Sequence, residues 1–135
     1  MKKRAKVVIC VFTDGEKILT EKRLLENYSE WQTLIPGGGV EDFETIEQAL
    51  KREVFEELGV IPLEFIVLPK EEQILGLNNQ IIVPFLITKW QGELPEKILD
   101  SGNRLEWMII EEVLNSPIKP TKKIVEALRK YLSKS

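Results

Sequence analysis

Apolar residues along this chain come in short runs separated by turn-forming residues. Residues 7–12 (Val-Val-Ile-Cys-Val-Phe) are apolar and rich in β-branched side chains, Asp14-Gly15 is a hairpin signal, and residues 17–23 alternate enough to be a partner strand. A β-hairpin is therefore predicted over 7–23. Residues 24–30 form a polar connector and 31–35 a short strand. Pro36-Gly37-Gly38-Gly39 restricts the backbone too little to stay in a sheet, which predicts a loop. Over 45–58 strong helix formers run without Gly or Pro, with acidic Glu44 at the start and Gly59 as the stop. Residues 60–67, 73–77, 80–90 and 105–110 read as strands, and Pro84 points to an edge or a bulge. Ile124, Val125, Leu128 and Leu132 stand at helical spacing, predicting a last helix over 121–132 with one face on the sheet.

At 135 residues the chain has the size of one domain with one sizeable core, so 1–135 is read as a single domain. There is no histidine and one cysteine, Cys10. That excludes Ser-His-Asp and Cys-His catalysis, zinc sites built on His or Cys, and a disulfide framework. Carboxylates, amines and backbone are left to do any chemistry. Lys and Arg number 19 against 22 Asp and Glu, a formal charge of -3. This balance gives no support for stable binding to nucleic-acid phosphates, while a small anionic ligand stays compatible with it. Met1-Lys2-Lys3-Arg4 faintly mimics a secretory signal, but the apolar run behind it ends at Thr13-Asp14 without a small-residue cleavage site. It reads as a basic lead-in to a strand. No stretch approaches the ~18 consecutive apolar residues of a membrane span, and with a lone thiol the expected location is cytoplasmic.

The helix over 45–58 breaks its own pattern. At about 100° per residue, Ile46, Leu50, Glu53 and Glu57 fall on one stripe, flanked by Ala49, Val54 and Glu56. A face that begins apolar and ends in three carboxylates is costly, because like charges repel and burial adds to the penalty. A cation there would offset the cost. Oxygen-only ligands on a rigid helix suit a hard divalent ion, and Mg²⁺ uses few carboxylates and leaves positions for water and phosphates. The glycines just upstream would bring bare backbone close to ion and phosphate. The plainer alternative is a solvated acidic face with Arg52 and Glu56 as a surface pair at i, i+4.

The spacing of the whole segment decides between them. Gly38, five residues, Glu44, seven residues, then Arg52-Glu53-Val54-Phe55-Glu56-Glu57-Leu58-Gly59-Val60 matches the signature box of the Nudix hydrolase family without a gap or a substitution. The order of the other strands, Trp90-Gln91-Gly92-Glu93, Glu106-Trp107-Met108 and the last helix also resemble MutT-like members. The resemblance implies an α+β fold, the Nudix α/β/α sandwich with a mixed sheet between helices. It further implies hydrolysis of a nucleoside diphosphate linked to another group, with Mg²⁺, or Mn²⁺ in its place, as cofactor. Carried over by position, Glu53, Glu56 and Glu57 are the metal-binding carboxylates, with the Gly38 carbonyl as a backbone ligand. Arg52 is the residue that orients the glutamates, and Glu44 a helix-start or supporting residue. The metal would neutralise and position the diphosphate and lower the pKa of the attacking water. Without histidine the base must be a carboxylate, either Glu53 or a downstream acid, with Glu96 and Asp100 the available choices.

Gly37, Gly38 and Gly39 are expected beside the substrate. Arg23 matches a position that presents a cation to phosphate in MutT-like members; the alternative is a surface arginine. Trp31, Trp90 and Trp107 lie in apolar strand contexts and are expected to pack in the core or on the sheet rather than stack on a base, as are Tyr28 and Phe85. Family members that cleave ADP-ribose or dinucleoside polyphosphates carry a proline or a tyrosine some fifteen to eighteen residues past the box. This chain has Gly76-Leu77-Asn78 there, which leaves a nucleoside triphosphate, ordinary, oxidised or non-standard, cleaved to monophosphate and pyrophosphate. Where MutT-like readers of oxidised guanine place an asparagine before the last helix, this chain has Lys119-Pro120-Thr121, and Thr121 is able to donate or accept one hydrogen bond. The alternatives are a pyrophosphatase of ADP-ribose, a nucleotide sugar, a dinucleoside polyphosphate or capped RNA, and a nucleotide sensor that does not cleave. The expected partner is a small nucleotide, with no membrane, in a monomer or homodimer.

Overall fold

The computed structural model describes residues 5–94 and 96–134, so the basic lead-in at 1–4 lies outside the described residues. In chain order the elements are β1 (Lys6–Phe12), β2 (Lys17–Arg23), β3 (Gln32–Leu34), β4 (Gly37–Gly39), α1 (Ile46–Leu58), β5 (Ile61–Val67), β6 (Ile74–Leu75), β7 (Ile81–Gln91), β8 (Lys97–Ile98), β9 (Arg104–Ile109), α2 (Ile110–Val113) and α3 (Lys119–Leu132). One sheet runs β4-β1-β7-β5, with β6 on the early part of β7; the other runs β3-β2-β9-β8. β1 and β7 are parallel and their other neighbours antiparallel, which makes the first sheet mixed.

The apolar run of β1 follows from burial on both faces, since no side of it meets water. Val8, Cys10 and Phe12 pack with Ala49, Leu50 and Val54 of α1. Ile9 and Val11 pack on the opposite side with Ile124, Val125 and Leu128 of α3. The sheet is thus held between two helices, the expected sandwich. Each of these aliphatic side chains contributes roughly 1.5–3 kcal/mol by leaving water.

α1 is fixed at both ends. Thr45 Oγ1 accepts from the Gln48 backbone N–H at 3.1 Å, and Gln48 Oε1 accepts from the Thr45 N–H at 2.8 Å, a reciprocal cap. Gly59 ends the helix with φ 71° in the left-handed region. Pro120 sits in the first turn of α3, where its missing N–H costs nothing.

Four expectations are corrected. First, β1 and β2 do not form a hairpin: they lie in different sheets and touch at one isolated bridge, Thr13 to Ile18. The turn itself forms, with Asp14 Oδ1 accepting from the N–H groups of Glu16 and Lys17, each at 2.8 Å. Turn chemistry reverses the chain, but the two edges of β1 are taken by β4 and β7 while α1 and α3 cover its faces. Second, Gly37–Gly39 is a strand rather than a loop, in register with Val7, Val8 and Ile9. A side chain at Gly37 would lie 2.2 Å from the Val8 carbonyl oxygen, so bare backbone is what lets this edge close. Third, Pro84 is not on an edge strand. β7 is central, and Pro84 marks the gap where its partner changes from β6 to β5, its carbonyl accepting from the Leu68 N–H at 2.8 Å. Fourth, Trp31 and Tyr28 are exposed, 53% and 39%. The strand begins only at Gln32 and offers neither ring a face to pack on. Trp90, Trp107 and Phe85 do pack in the α1-side core, Trp90 edge-on to Phe12 at 5.2 Å.

Candidate active site

Arg52 is the hub of the helix end. Its Nε and Nη2 form a fork on Glu44, at 2.7 and 2.9 Å, Nη1 donates to Glu53 Oε1 at 2.7 Å and to Glu56 Oε2 at 3.4 Å, and Nη2 also reaches the Gly39 carbonyl at 2.9 Å. One guanidinium therefore ties the loop before α1, the glycine strand and two box glutamates together, as a planar fork with several donors is suited to do. The Arg52 hydrogen bonds, helped by the Glu41 backbone N–H, hold the Glu44 carboxyl down at about 2. Glu44 is committed to Arg52 rather than to the helix start.

Gly38 lies against the Glu53 carboxylate: a methyl group on it would fall 2.2 Å from Glu53 Cδ. That contact is the physical reason for a bare residue at this position. Glu57 is pushed up to about 8, first by burial and then by the charges of Glu21 and Glu53. Beneath them burial raises the Cys10 thiol, with Glu57 and Glu53 adding to it, so this cysteine is an inert core residue.

Glu21, absent from the sequence-based candidates, belongs to this group. It is 7% exposed on β2, with Oε2 3.5 Å from Arg23 Nε and accepting from Asn103 Nδ2 at 3.2 Å. Burial raises its carboxyl, and Arg23 and Asn103 work against that. The sequence carries no signal for it: only the fold shows that its neighbours Ile18, Leu19 and Thr20 are all buried.

Two cavities meet at Glu21, Arg23 and Gly37. A groove of about 440 Å³ continues along Glu56, Glu57, Lys97, Asp100 and Asn103. Of the two downstream acids, Asp100 therefore lines the groove and Glu96 does not. A second cavity, about 250 Å³, runs toward α3 between aliphatic residues such as Ile9, Ile35 and Ile118, with Asn78, Gln80 and Thr121 as its polar members beyond the shared Glu21 and Arg23. Gly76 and Leu77 line it as well.

Glu53 faces Arg52 and Gly38 instead of the groove. As the side chains stand, no three carboxylates among the described residues converge closely enough to hold an ion. The donor set nevertheless fits a hard divalent cation. Its atoms are all oxygen, Gly38 leaves room at Glu53, and the repulsion that raises Glu57 is of the kind a cation relieves.

Residues 2–130 match the family model of the NUDIX domain. The chain belongs to the Nudix family. It is a Nudix hydrolase, an enzyme of nucleotide diphosphate linkages, and the family uses divalent metal ions. The chain is 29% identical over 132 residues to the 8-oxo-dGTP diphosphatase of Escherichia coli, covering 98% of this chain and all of that protein. It is 38% identical over 101 residues to the RNA pyrophosphohydrolase of Histophilus somni, covering 75% of this chain and 43% of that protein, so it spans less than half the length of that relative. A MutT structure from a study of Aliivibrio salmonicida and Vibrio cholerae superposes with a TM-score of 0.72 at 23% identity, covering 96% of this chain and 99% of that one, which shows the Nudix fold. Among the described residues no helix is long and apolar enough to cross a membrane.

Proposed function

We propose that this Nudix hydrolase cleaves nucleoside triphosphates, ordinary, oxidised or non-standard, to the monophosphate and pyrophosphate with Mg²⁺, Mn²⁺ serving in its place. The observation that carries the reading is the junction of the two cavities at Glu21, Arg23 and Gly37. A mostly aliphatic pocket suited to a base opens directly onto a groove that holds carboxylates and two cations, Arg23 and Lys97. That is the layout a nucleotide needs, base on one side and phosphates on the other.

Glu53, Glu56, Glu57 and the Gly38 carbonyl would hold the metal. When bound, a divalent ion supplies charge neutralisation of the phosphates and a more acidic water. Arg52 fixes the directions of Glu53 and Glu56, Arg23 and the 37–39 backbone position the phosphates, and Thr121 meets the base. Water adds to phosphorus, the bond to the leaving phosphate oxygen breaks, and the water proton passes to a carboxylate. Glu53 is within the cluster for that task, and Asp100 lines the groove beside Glu56 and Glu57. A cytoplasmic location and a monomeric or homodimeric state are part of the same proposal.

The decisive experiment supplies Mg²⁺ and a panel of ordinary and oxidised nucleoside triphosphates, dinucleoside polyphosphates, ADP-ribose and 5′-triphosphorylated RNA, with products separated by chromatography. Monophosphate plus pyrophosphate from a triphosphate is expected, and the Glu57→Gln variant should lose it. Turnover confined to RNA or to ADP-ribose overturns the substrate reading, and metal-dependent nucleotide binding without turnover overturns the hydrolytic one.

A further inference from the structure

The polar side chains of the second cavity are few, and two polar atoms among them, Gln80 Nε2 and the Thr121 hydroxyl, have no hydrogen-bond partner among the described residues. Its walls carry aliphatic side chains and no aromatic ring. A base held there is therefore discriminated by hydrogen bonds rather than by stacking.

Gln80 stands at the end of the turn between β6 and β7. That turn is closed by the Gly76 N–H on the Gln80 carbonyl at 2.9 Å and the Asn79 N–H on the Gly76 carbonyl at 3.0 Å, with Asn79 at φ 61°. The Gln80 side chain folds back, and its Oε1 accepts from the Asn78 N–H at 3.2 Å. Gly76 makes room for this, because a methyl group there would lie 2.7 Å from Oε1. The amide cannot turn over, since its own N–H groups would then face the Asn78 N–H. Its Nε2, a pure donor on a side chain that lines the cavity, thus has no partner among the described residues.

Thr121 is the second group. It is 2% exposed on the first turn of α3, lines the same cavity, and its hydroxyl makes no hydrogen bond to the described residues. It is not among buried atoms sealed off without a partner, so the hydroxyl opens on the cavity. It donates or accepts as the ligand requires.

We propose that Gln80 and Thr121 select a nucleobase carrying a carbonyl oxygen, rather than an amino group, at C6 of a purine or C4 of a pyrimidine. The proposal rests on the nucleotide reading above. A carbonyl there accepts from Gln80 Nε2, with Thr121 as a second donor. An amino group in the same place sets donor against donor at Gln80 Nε2, whereas the Thr121 hydroxyl turns to accept from it, so the expected discrimination of about 10- to 100-fold rests on Gln80.

Inosine and adenosine nucleotides differ at this position in the required way, as do uridine and cytidine nucleotides. With Mg²⁺, kcat/KM is expected to favour ITP over ATP and UTP over CTP by about 10- to 100-fold. Calorimetric titration without metal should rank IMP above AMP in the same sense. Gln80→Leu is expected to bring both ratios near one, and Gln80→Glu, which keeps the bond from Asn78 but offers only acceptors, to shift them toward ATP and CTP. Thr121→Val should weaken the preference less. If no triphosphate is hydrolysed while IMP still binds above AMP, the catalytic reading fails and the base selectivity stands. Equal or reversed ratios in the parent protein, ratios unmoved in folded Gln80 variants, or no binding of either monophosphate at millimolar concentration would overturn the selectivity.

Discussion

The carboxylate groove and the aliphatic cavity share Glu21, Arg23 and Gly37, yet they are assembled in opposite ways. Along the groove, Glu56 and Glu57 share one helix with Glu53 and Arg52, and their relative positions are set by 3.6 residues per turn and by one guanidinium. The cavity is walled by Ile9 of β1, Ile35, the turn before β7 and Thr121 of α3, segments that meet only when the sandwich closes. A site written on one helix tolerates little change in spacing, whereas a site between distant elements can change its contacts one at a time. If the cavity holds the base as proposed, chemistry and base choice are thereby separable in this fold.

The sharpest way to break the comparison is Gly38→Ala. The added methyl displaces the Glu53 carboxylate, for which only 2.2 Å is left to Cδ, and a displacement of that size is expected to lower kcat by about 10²-fold. Monophosphate binding in the cavity should be unchanged by calorimetry, and a parallel loss there would show that the two sites are not separable.

A middle-sized effect concerns the cost of the acidic stripe. Glu57 sits at about 8 in the folded protein against 4.5 ordinarily, so the fold favours its neutral form. Its stabilising contribution is fully present below about pH 4.5 and is lost as pH rises through about 8. In metal-free protein, Glu57→Gln should therefore leave stability unchanged relative to the parent at pH 4.5 and raise it at pH 8.5, by on the order of 2 kcal/mol. Urea unfolding at the two pH values measures this, and the gap should narrow when Mg²⁺ is added. A variant equally stable relative to the parent at both pH values would refute the buried-charge account.

The smallest effect is on the cavity side. Gly76→Ala presses on Gln80 Oε1 at 2.7 Å, and because that atom ends a flexible side chain the amide swings rather than the backbone. A several-fold rise in KM with kcat nearly constant is expected, the signature of lost ground-state binding. A fall in kcat instead would tie the turn to the groove.

Much of the groove was legible before folding. The box from Gly38 to Val60 names Arg52 and the glutamates, and the helix formers with Gly59 as stop place them on one element, α1. Local rules suffice where the contacts are local. Glu21 was not legible, because a glutamate on an alternating strand looks solvated until β2 is laid between β3 and β9 and Asn103 is brought onto it. The choice of Asp100 over Glu96 depended in the same way on how β8 and the turn after it sit against the groove.

The two long helices, most of the strands and the spacing of the acidic helix follow from the order of residues alone, since each is governed by neighbours within a few positions. Separate sheets for β1 and β2, a strand made of glycines, the exposure of Trp31 and the cavity that joins Gln80 to Thr121 arise from packing between segments remote in the chain. Which apolar face covers which is a competition among all of them at once, and only the closed sandwich resolves it.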